Sequence, residues 1–240
     1  MKVLVVGGGG REHAIIKKLK ESKKNPELYA APGNGGIAAD AVCVPVKATD
    51  VDAMVSYAAE NGIDFCVVAP DDPLVLGMVD AMEAKGIRCF GPSKAAAALE
   101  GSKVFAKELM KKYGIPTAAY ETFDDPQKAI EYVKAQNSYP TVIKADGLAL
   151  GKGVIIAEDF AAAEAGIRSI MEDKIFGKSG SQIVIEEFLT GPEVSVLSFT
   201  DSYVVVPMIS SMDHKRALDG DKGLNTGGMG TVAPNPFYTE

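Results

Sequence analysis

Apolar positions in the first ninety residues recur in two rhythms. Short unbroken runs at residues 2–6 (KVLVV), 28–31, 65–68 and 88–90 have the length and β-branched content of buried strands. Between them, Arg11 to about Lys20, residues 50–61 and residues 74–85 carry helical spacing; in the first of these Ala14, Ile15 and Leu19 share a face. Strands alternating with helices predict an α/β fold, an N-terminal doubly wound parallel-sheet domain over residues 1–101. The rhythm then changes. Residues 102–113 predict a helix with Lys103 and Lys107 four apart on one face, ended by Gly114-Ile115-Pro116. Residues 118–188 follow the order strand, helix, strand, strand, helix, strand, a compact α+β lid. A hairpin over residues 193–210, turning at Asp201-Ser202, comes next. Residues 211–240, dominated by Gly, Asp, Asn, Thr and Pro, predict a loop.

Candidate chemistry concentrates in four stretches. In PTVIKADGLALGKGVIIA (residues 140–157) two β-branched runs flank a glycine loop holding Lys144, Asp146 and Lys152. A P-loop is excluded, because Gly147 and Gly151 have three residues between them instead of four and Gly153 follows Lys152 where Ser or Thr is required. A glycine loop covering a phosphate fits, and so does a solvated hairpin tip. The glycine turn at residues 7–10 resembles a dinucleotide fingerprint loosely. Its third glycine position falls on Glu12 or His13, and the second strand ends in Pro-Gly-Asn-Gly-Gly without the ribose-gripping acid. That argues against NAD and leaves an anion site open. Asp71 and Asp72, at the edge where such sheets bind ligands, read as binders of a cationic or hydroxyl group or as helix caps. IEEFLTGPEVS (residues 185–195) suits an adenine and ribose, or a charged edge strand. DHKRALDGDKGLNTGGMG (residues 213–230) has too few apolar residues for a core and reads as a loop shaped around a polar ligand.

Composition narrows the partners. The 240 residues are 47% apolar and 24% charged, ordinary for a globular protein with ample core. A net charge of −7 argues against a nucleic-acid surface. Cys43, Cys66 and Cys89 match no metal spacing and read as buried thiols in a reducing compartment. No basic leader follows Met1 and no window reaches membrane-span length, so the expectation is a cytoplasmic protein without a membrane partner.

GGGGREHA at residues 7–14, GPS at 91–93, LEGSKVFAK at 99–107, IPTA at 115–118, KADGLALGKGV at 144–154, EEFLTGPEVS at 186–195 and the DHKR…NTGGMG pair together resemble the phosphoribosylamine–glycine ligases (glycinamide ribonucleotide synthetases) of the ATP-grasp superfamily. The resemblance runs from Met1 to Glu240. It implies ATP-dependent joining of glycine to 5-phosphoribosylamine through a glycyl phosphate, in purine biosynthesis, with ATP and Mg²⁺ as cofactors. It also makes residues 102–240 an ATP-grasp unit, incomplete at its C-terminus, with the lid at about 118–188. By the same resemblance Lys144, Asp213, Lys215 and Arg216 are the catalytic set. ATP would meet Lys103, Lys144, Gly147, Gly151, Lys152, Gly153, Glu186, Glu187, Phe188, Leu189 and Glu193. The glycine and phosphoribosylamine side would be formed by Gly9, Gly10, Arg11, Glu12, Pro70, Asp71, Asp213, Lys215, Arg216, Asn225, Thr226, Gly227, Gly228, Met229 and Gly230.

Four departures stand out. Ala69-Pro70-Asp71 replaces a usual Gly-Pro-Glu, Leu224 a proline and Leu150 an alanine. Family members are also longer, and the further part supplies the acidic and Asn ligands for magnesium, so no metal ligand is expected within this chain. The expectation is a partial form, inactive alone: a truncated piece, or one half of a divided enzyme whose second polypeptide supplies the rest. A non-catalytic nucleotide-binding remnant and another ATP-grasp ligase of purine synthesis are the alternatives.

Overall fold

The computed structural model describes residues 1–148, 153–220 and 222–238. Its first ninety residues form a five-stranded parallel sheet in the order β3-β2-β1-β4-β5. In chain order these are β1 (Lys2–Gly7), helix α1 (Gly10–Lys20), β2 (Glu27–Pro32), β3 (Val42–Cys43), α2 (Val51–Glu60), β4 (Phe65–Val68), α3 (Asp71–Leu76), α4 (Met78–Glu83) and β5 (Arg88–Phe90). The pleat sends alternate side chains to opposite faces. Leu4, Val6, Cys66 and Val68 therefore meet Met54 and Ala58 of α2 and Met78 and Met82 of α4. Val3, Val5, Ala30 and Val67 meet Ile16 of α1 and Ile37 on the other face. Strand order reverses beside β1, so the carboxyl ends of β1 and β4 open a crevice of the kind that receives ligands in such sheets.

Two local readings are corrected. The helix expected over residues 74–85 begins at Asp71 and is cut in two at Gly77, which adopts φ 94°, a conformation that L side chains disfavour. The two-residue β3 has too little pattern to be seen in the sequence.

Helices α5 (Lys94–Gly101) and α6 (Lys103–Tyr113) lead to a second, four-stranded sheet in the order β6-β9-β7-β8. Its elements are β6 (Tyr120–Phe123), α7 (Pro126–Gln136), β7 (Thr141–Ala145), β8 (Val154–Ala157), α8 (Phe160–Met171) and β9 (Ile183–Glu187), the element order expected of the lid. Ile143, Ala145, Ile183 and Ile185 bury one face under Ile130 and Val133 of α7 and Ile167 and Ile170 of α8. The residues between them point the other way.

The hairpin expected over residues 193–210 pairs only β10 (Ser198–Thr200) with β11 (Val205–Pro207), and every residue of both strands is exposed. The stretch expected to be a loop is an antiparallel pair, β12 (Met212–Leu218) with β13 (Lys222–Val232), with register shifts on either side of Arg216. Strand pairing uses backbone groups, which glycine carries like any residue, so a shortage of apolar side chains did not forbid it.

Candidate functional site

The pleat that buries Ile143 and Ile185 turns Lys144 and Glu186 to the face of the second sheet opposite α7 and α8. With Val142 opposite Glu186 and Lys144 opposite Val184, the two charged residues are diagonal neighbours. Lys144 Nζ donates to Glu186 Oε2 at 2.8 Å. From α6, Lys107 Nζ reaches the same oxygen at 3.3 Å and donates to Thr117 Oγ1 at 2.7 Å. It also stands 5.3 Å from the centre of the Tyr120 ring. Lys107 and Glu186 are 7% and 6% exposed, so two ammonium groups share one carboxylate with little water present. The sum is a surplus of one positive charge.

Lys103, one turn before Lys107, donates to the Gly147 carbonyl at the start of the glycine loop. Burial pushes its pKa down, with Lys144 adding to the effect and Asp146 opposing it. The same helix end holds Asp146: Ser102 Oγ donates to it at 3.0 Å and the Val104 N–H at 3.1 Å, while the Phe105 N–H donates to Ser102 Oγ. Two side chains thus satisfy free amides of α6. A cleft of about 300 Å³ lies over this group, lined by Lys103, Lys107, Lys144, Leu148, Glu186 and neighbouring α5–α6 residues. Of the predicted nucleotide residues, Lys103, Lys144, Gly147 and Glu186 come together here. Gly151 and Lys152 lie outside the described residues, and Gly153 is buried, its carbonyl bonded by the Ala145 N–H. The Glu187 carboxylate accepts from the Ala119 N–H at 2.9 Å, and Phe188 and Leu189 are exposed beyond it.

A second group forms where β12 runs beside the segment after β9. Lys215 Nζ donates to Glu193 Oε1, with Asp213 Oδ2 at 3.7 Å, and this hydrogen bond with Glu193 raises the Lys215 pKa. A cavity of about 400 Å³ here is lined by Ile156, Glu193, Met212, Asp213, His214, Lys215 and Arg216. Arg216 is tied to the hairpin through the Gly223 carbonyl at 2.8 Å. Opposite Lys215, Thr226 Oγ1 donates to its carbonyl and accepts from the Gly228 N–H. Asn225 stands opposite Arg216 in the register, and Gly227, Met229 and Gly230 are exposed along β13. Asn235, 3% exposed, closes this group by donating to the carbonyls of Glu193 and Ser211.

The third group sits at the crevice of the first sheet. Gly9 caps α1, and the buried Glu12 carboxylate folds back onto the Gly9 N–H, leaving Gly10 and Arg11 exposed. A side chain at Gly8 would put its Cβ 2.5 Å from the Gly33 carbonyl oxygen, so only glycine lets the two turns lie together. Asn34 Nδ2 donates to Gly8 O at 2.8 Å, and His13 Nε2 lies 3.2 Å from Asp40. Pro70 is the N-cap of α3, and Asp71 and Asp72 are exposed in its first turn, where acids favour the helix dipole. The contacts of Gly8 to His13 run to Asn34 and Asp40 rather than to the other two groups.

Sequence reasoning missed Lys107 and Asp146 as site residues. The shared face of Lys103 and Lys107 was a signal for the first. For Asp146 the signal was an acid in a loop otherwise set with lysines.

Comparison with known proteins identifies the family to which the chain belongs. Residues 101–240 match the family described as phosphoribosylglycinamide synthetase, ATP-grasp (A) domain, and residues 1–100 match its N domain. The phosphoribosylamine–glycine ligase of Clostridium acetobutylicum is 48% identical over 240 residues, 100% of this chain and 58% of the relative. That of Streptococcus pyogenes is 50% identical over 243 residues, again 100% of this chain and 57% of the relative. Among solved structures, the Thermotoga maritima phosphoribosylamine–glycine ligase superposes with a TM-score of 0.81 at 34% identity, covering 96% of this chain and 55% of that one. A Campylobacter jejuni biotin carboxylase shares the fold at 17% identity, with a TM-score of 0.73 over 90% of this chain and 51% of that one. The chain therefore spans little more than half the length of these relatives. With its ATP-grasp match alone covering more than half of its residues, the chain belongs to the phosphoribosylglycinamide synthetase family.

Proposed function

We propose that this chain forms the nucleotide-phosphate and substrate-loop part of an ATP-dependent ligase that joins glycine to 5-phosphoribosylamine. The observation that carries the reading is the meeting of Lys103 and Lys144 over the start of the glycine loop, with Glu186 and Lys107 fixing Lys144 from behind. The surplus positive charge beside the buried Lys107–Glu186 pair suits a polyphosphate, whose transfer calls mainly for positioning and charge neutralisation. Lys103 and Lys144 would hold ATP phosphates, Glu193 would accept from the ribose, and the stretch from Glu187 to Leu189 would border the adenine. Asp213, Lys215 and Arg216, with Asn225 to Gly230, would border glycine and phosphoribosylamine. Gly9 to Glu12, Pro70 and Asp71 would contribute from the first sheet, the 1–101 unit.

Among the described residues no three acidic, His or Cys side chains converge to hold a metal ion, and Mg²⁺ bound with a nucleotide takes one or two carboxylates beside the phosphates. The proposal places the Mg²⁺ ligands in the part of the relatives that this chain does not span, and the exposed strands β10 and β11 are the surface against which that part would pack. No helix among the described residues is long and apolar enough to cross a membrane, and the proposed partners are small molecules in the cytoplasm.

The test is a coupled ADP-release assay with glycine, phosphoribosylamine and Mg-ATP. The expected result is no turnover by the chain alone and turnover once the complementary polypeptide is added. Ligase-rate turnover by residues 1–240 alone would refute the placement of the metal ligands outside them. Absence of turnover in the reconstituted pair, with both parts folded, would refute the ligase assignment.

A further inference from the structure

The cysteines divide into one apart and two together. Cys66 of β4 and Cys89 of β5 are opposite each other in the parallel register, on the face of the sheet that packs against α2 and α4. Cys89 packs against the buried cluster that contains Cys66, and its thiol donates to the Ile87 carbonyl at 3.7 Å. Neighbouring strands lie about 4.8 Å apart, inside the roughly 4.4–6.8 Å between Cα atoms that a disulfide spans. β5 is three residues long and lies at the sheet edge, so it has one pairing neighbour to follow when the sulfurs close. Cys43 sits on the opposite edge strand, three strand spacings (about 14 Å) from Cys66, too far for either partner.

We propose that Cys66 and Cys89 are a modification site: a dithiol that hydrogen peroxide converts to an intrachain disulfide and small thiols restore. Cys66 is fully buried and Cys89 partly exposed, so the oxidant meets Cys89 first. The neighbouring Cys66 thiol lowers the Cys89 pKa and so favours the attacking thiolate, while burial and Glu83 oppose it. The Cys89 sulfur attacks the peroxide O–O bond, giving a sulfenic acid and releasing one oxygen as water. The Cys66 sulfur then displaces that hydroxyl, forming the S–S bond and a second water. Two thiols lose two hydrogens and two electrons, and one peroxide becomes two waters.

Neither cysteine belongs to the three groups of the candidate site, but the bond would close the chain segment that carries Pro70 and Asp71. It would also fix β5, which ends at Phe90, whose ring lies 5.8 Å from that of Phe199 in β10.

The experiment treats the fully reduced chain with hydrogen peroxide under native conditions, alkylates the remaining thiols and maps the peptides by mass. The expected product is lighter by about 2 Da before alkylation, carries a link between the peptides of Cys66 and Cys89, keeps Cys43 alkylated and reverts with dithiothreitol. Cys66→Ser should leave Cys89 as a sulfenic acid trapped by dimedone, with no link formed. Three alkylated thiols after treatment, a link to Cys43 or between chains, or Cys89 sulfinic acid beside alkylated Cys66 would each overturn the proposal. The mapping of the unsubstituted chain decides even where Cys66→Ser does not fold.

Discussion

At the scale of single residues, the charge arithmetic around Glu186 makes the strongest demand. One buried carboxylate serves two lysines, one of them nearly as buried as itself. Removing one member of a buried pair typically costs on the order of 3–5 kcal/mol, because the partner is left charged and unpaired. Glu186→Ala is therefore expected to lower the urea midpoint of unfolding more than Lys107→Met does, and the double variant is expected to recover part of the loss. A single-variant ordering in which Lys107→Met is the worse would contradict the shared-carboxylate account. Lys215 differs, because it and Glu193 are each about half exposed and the pair is worth only about 0–1 kcal/mol. Its raised pKa fixes the sign. The contribution is fully present below the unfolded value of about 10.4 and is lost as pH rises through the folded value. Unfolding curves of the native chain and Lys215→Met should differ slightly at pH 8 and converge as pH rises beyond the ordinary lysine range, and a gap that widens with alkali would reverse the assignment.

At the scale of elements, Asp146 joins two pieces that the sequence presents as separate. It leaves β7 and caps α6, so the strand that carries Lys144 and the helix that carries Lys103 share one anchor. Asp146→Ala is expected to cost about 0.5–2 kcal/mol as a lost helix cap. It should also weaken the nucleotide-dependent rise in melting temperature by more than that loss explains, because Lys103 loses its placement. Asp146→Asn, which keeps an acceptor, should restore most of the stability, and an unchanged nucleotide response in Asp146→Ala would detach the cap from the site. Strands and helices were legible wherever the apolar period was long, as in KVLVV and in the helices that cover the second sheet. The strand character of β12 and β13 was not, because glycine-rich pairing leaves no side-chain rhythm to read. Lys107 and Asp146 were visible as residues but not as partners. Their contacts cross from one element to another, and spacing along the chain does not report such distances.

At the scale of the whole molecule, apolar exposure is concentrated after β9. Val196, Leu197, Phe199, Val205, Val206 and Ile209 are all exposed on a hairpin with no covering layer among the described residues. A two-stranded ribbon of this kind is marginal in water, and apolar surface in one patch favours association. The isolated chain is expected to bind a hydrophobic fluorescent dye and to self-associate as concentration rises. Val205→Thr with Ile209→Thr should reduce both while leaving the unfolding midpoint nearly unchanged, since neither side chain is buried. A large loss of stability would mean that the patch is already covered.

The first sheet has the opposite character, since all its strand pairings fall between Lys2 and Phe90. Nothing made later in synthesis is needed to complete it. A nascent chain emerging from the ribosome can close this sheet while the glycine-loop hairpin is still unmade, because domains generally fold in the order in which they are produced. The later segments would then meet a finished surface, with Phe90 at its edge waiting for Phe199.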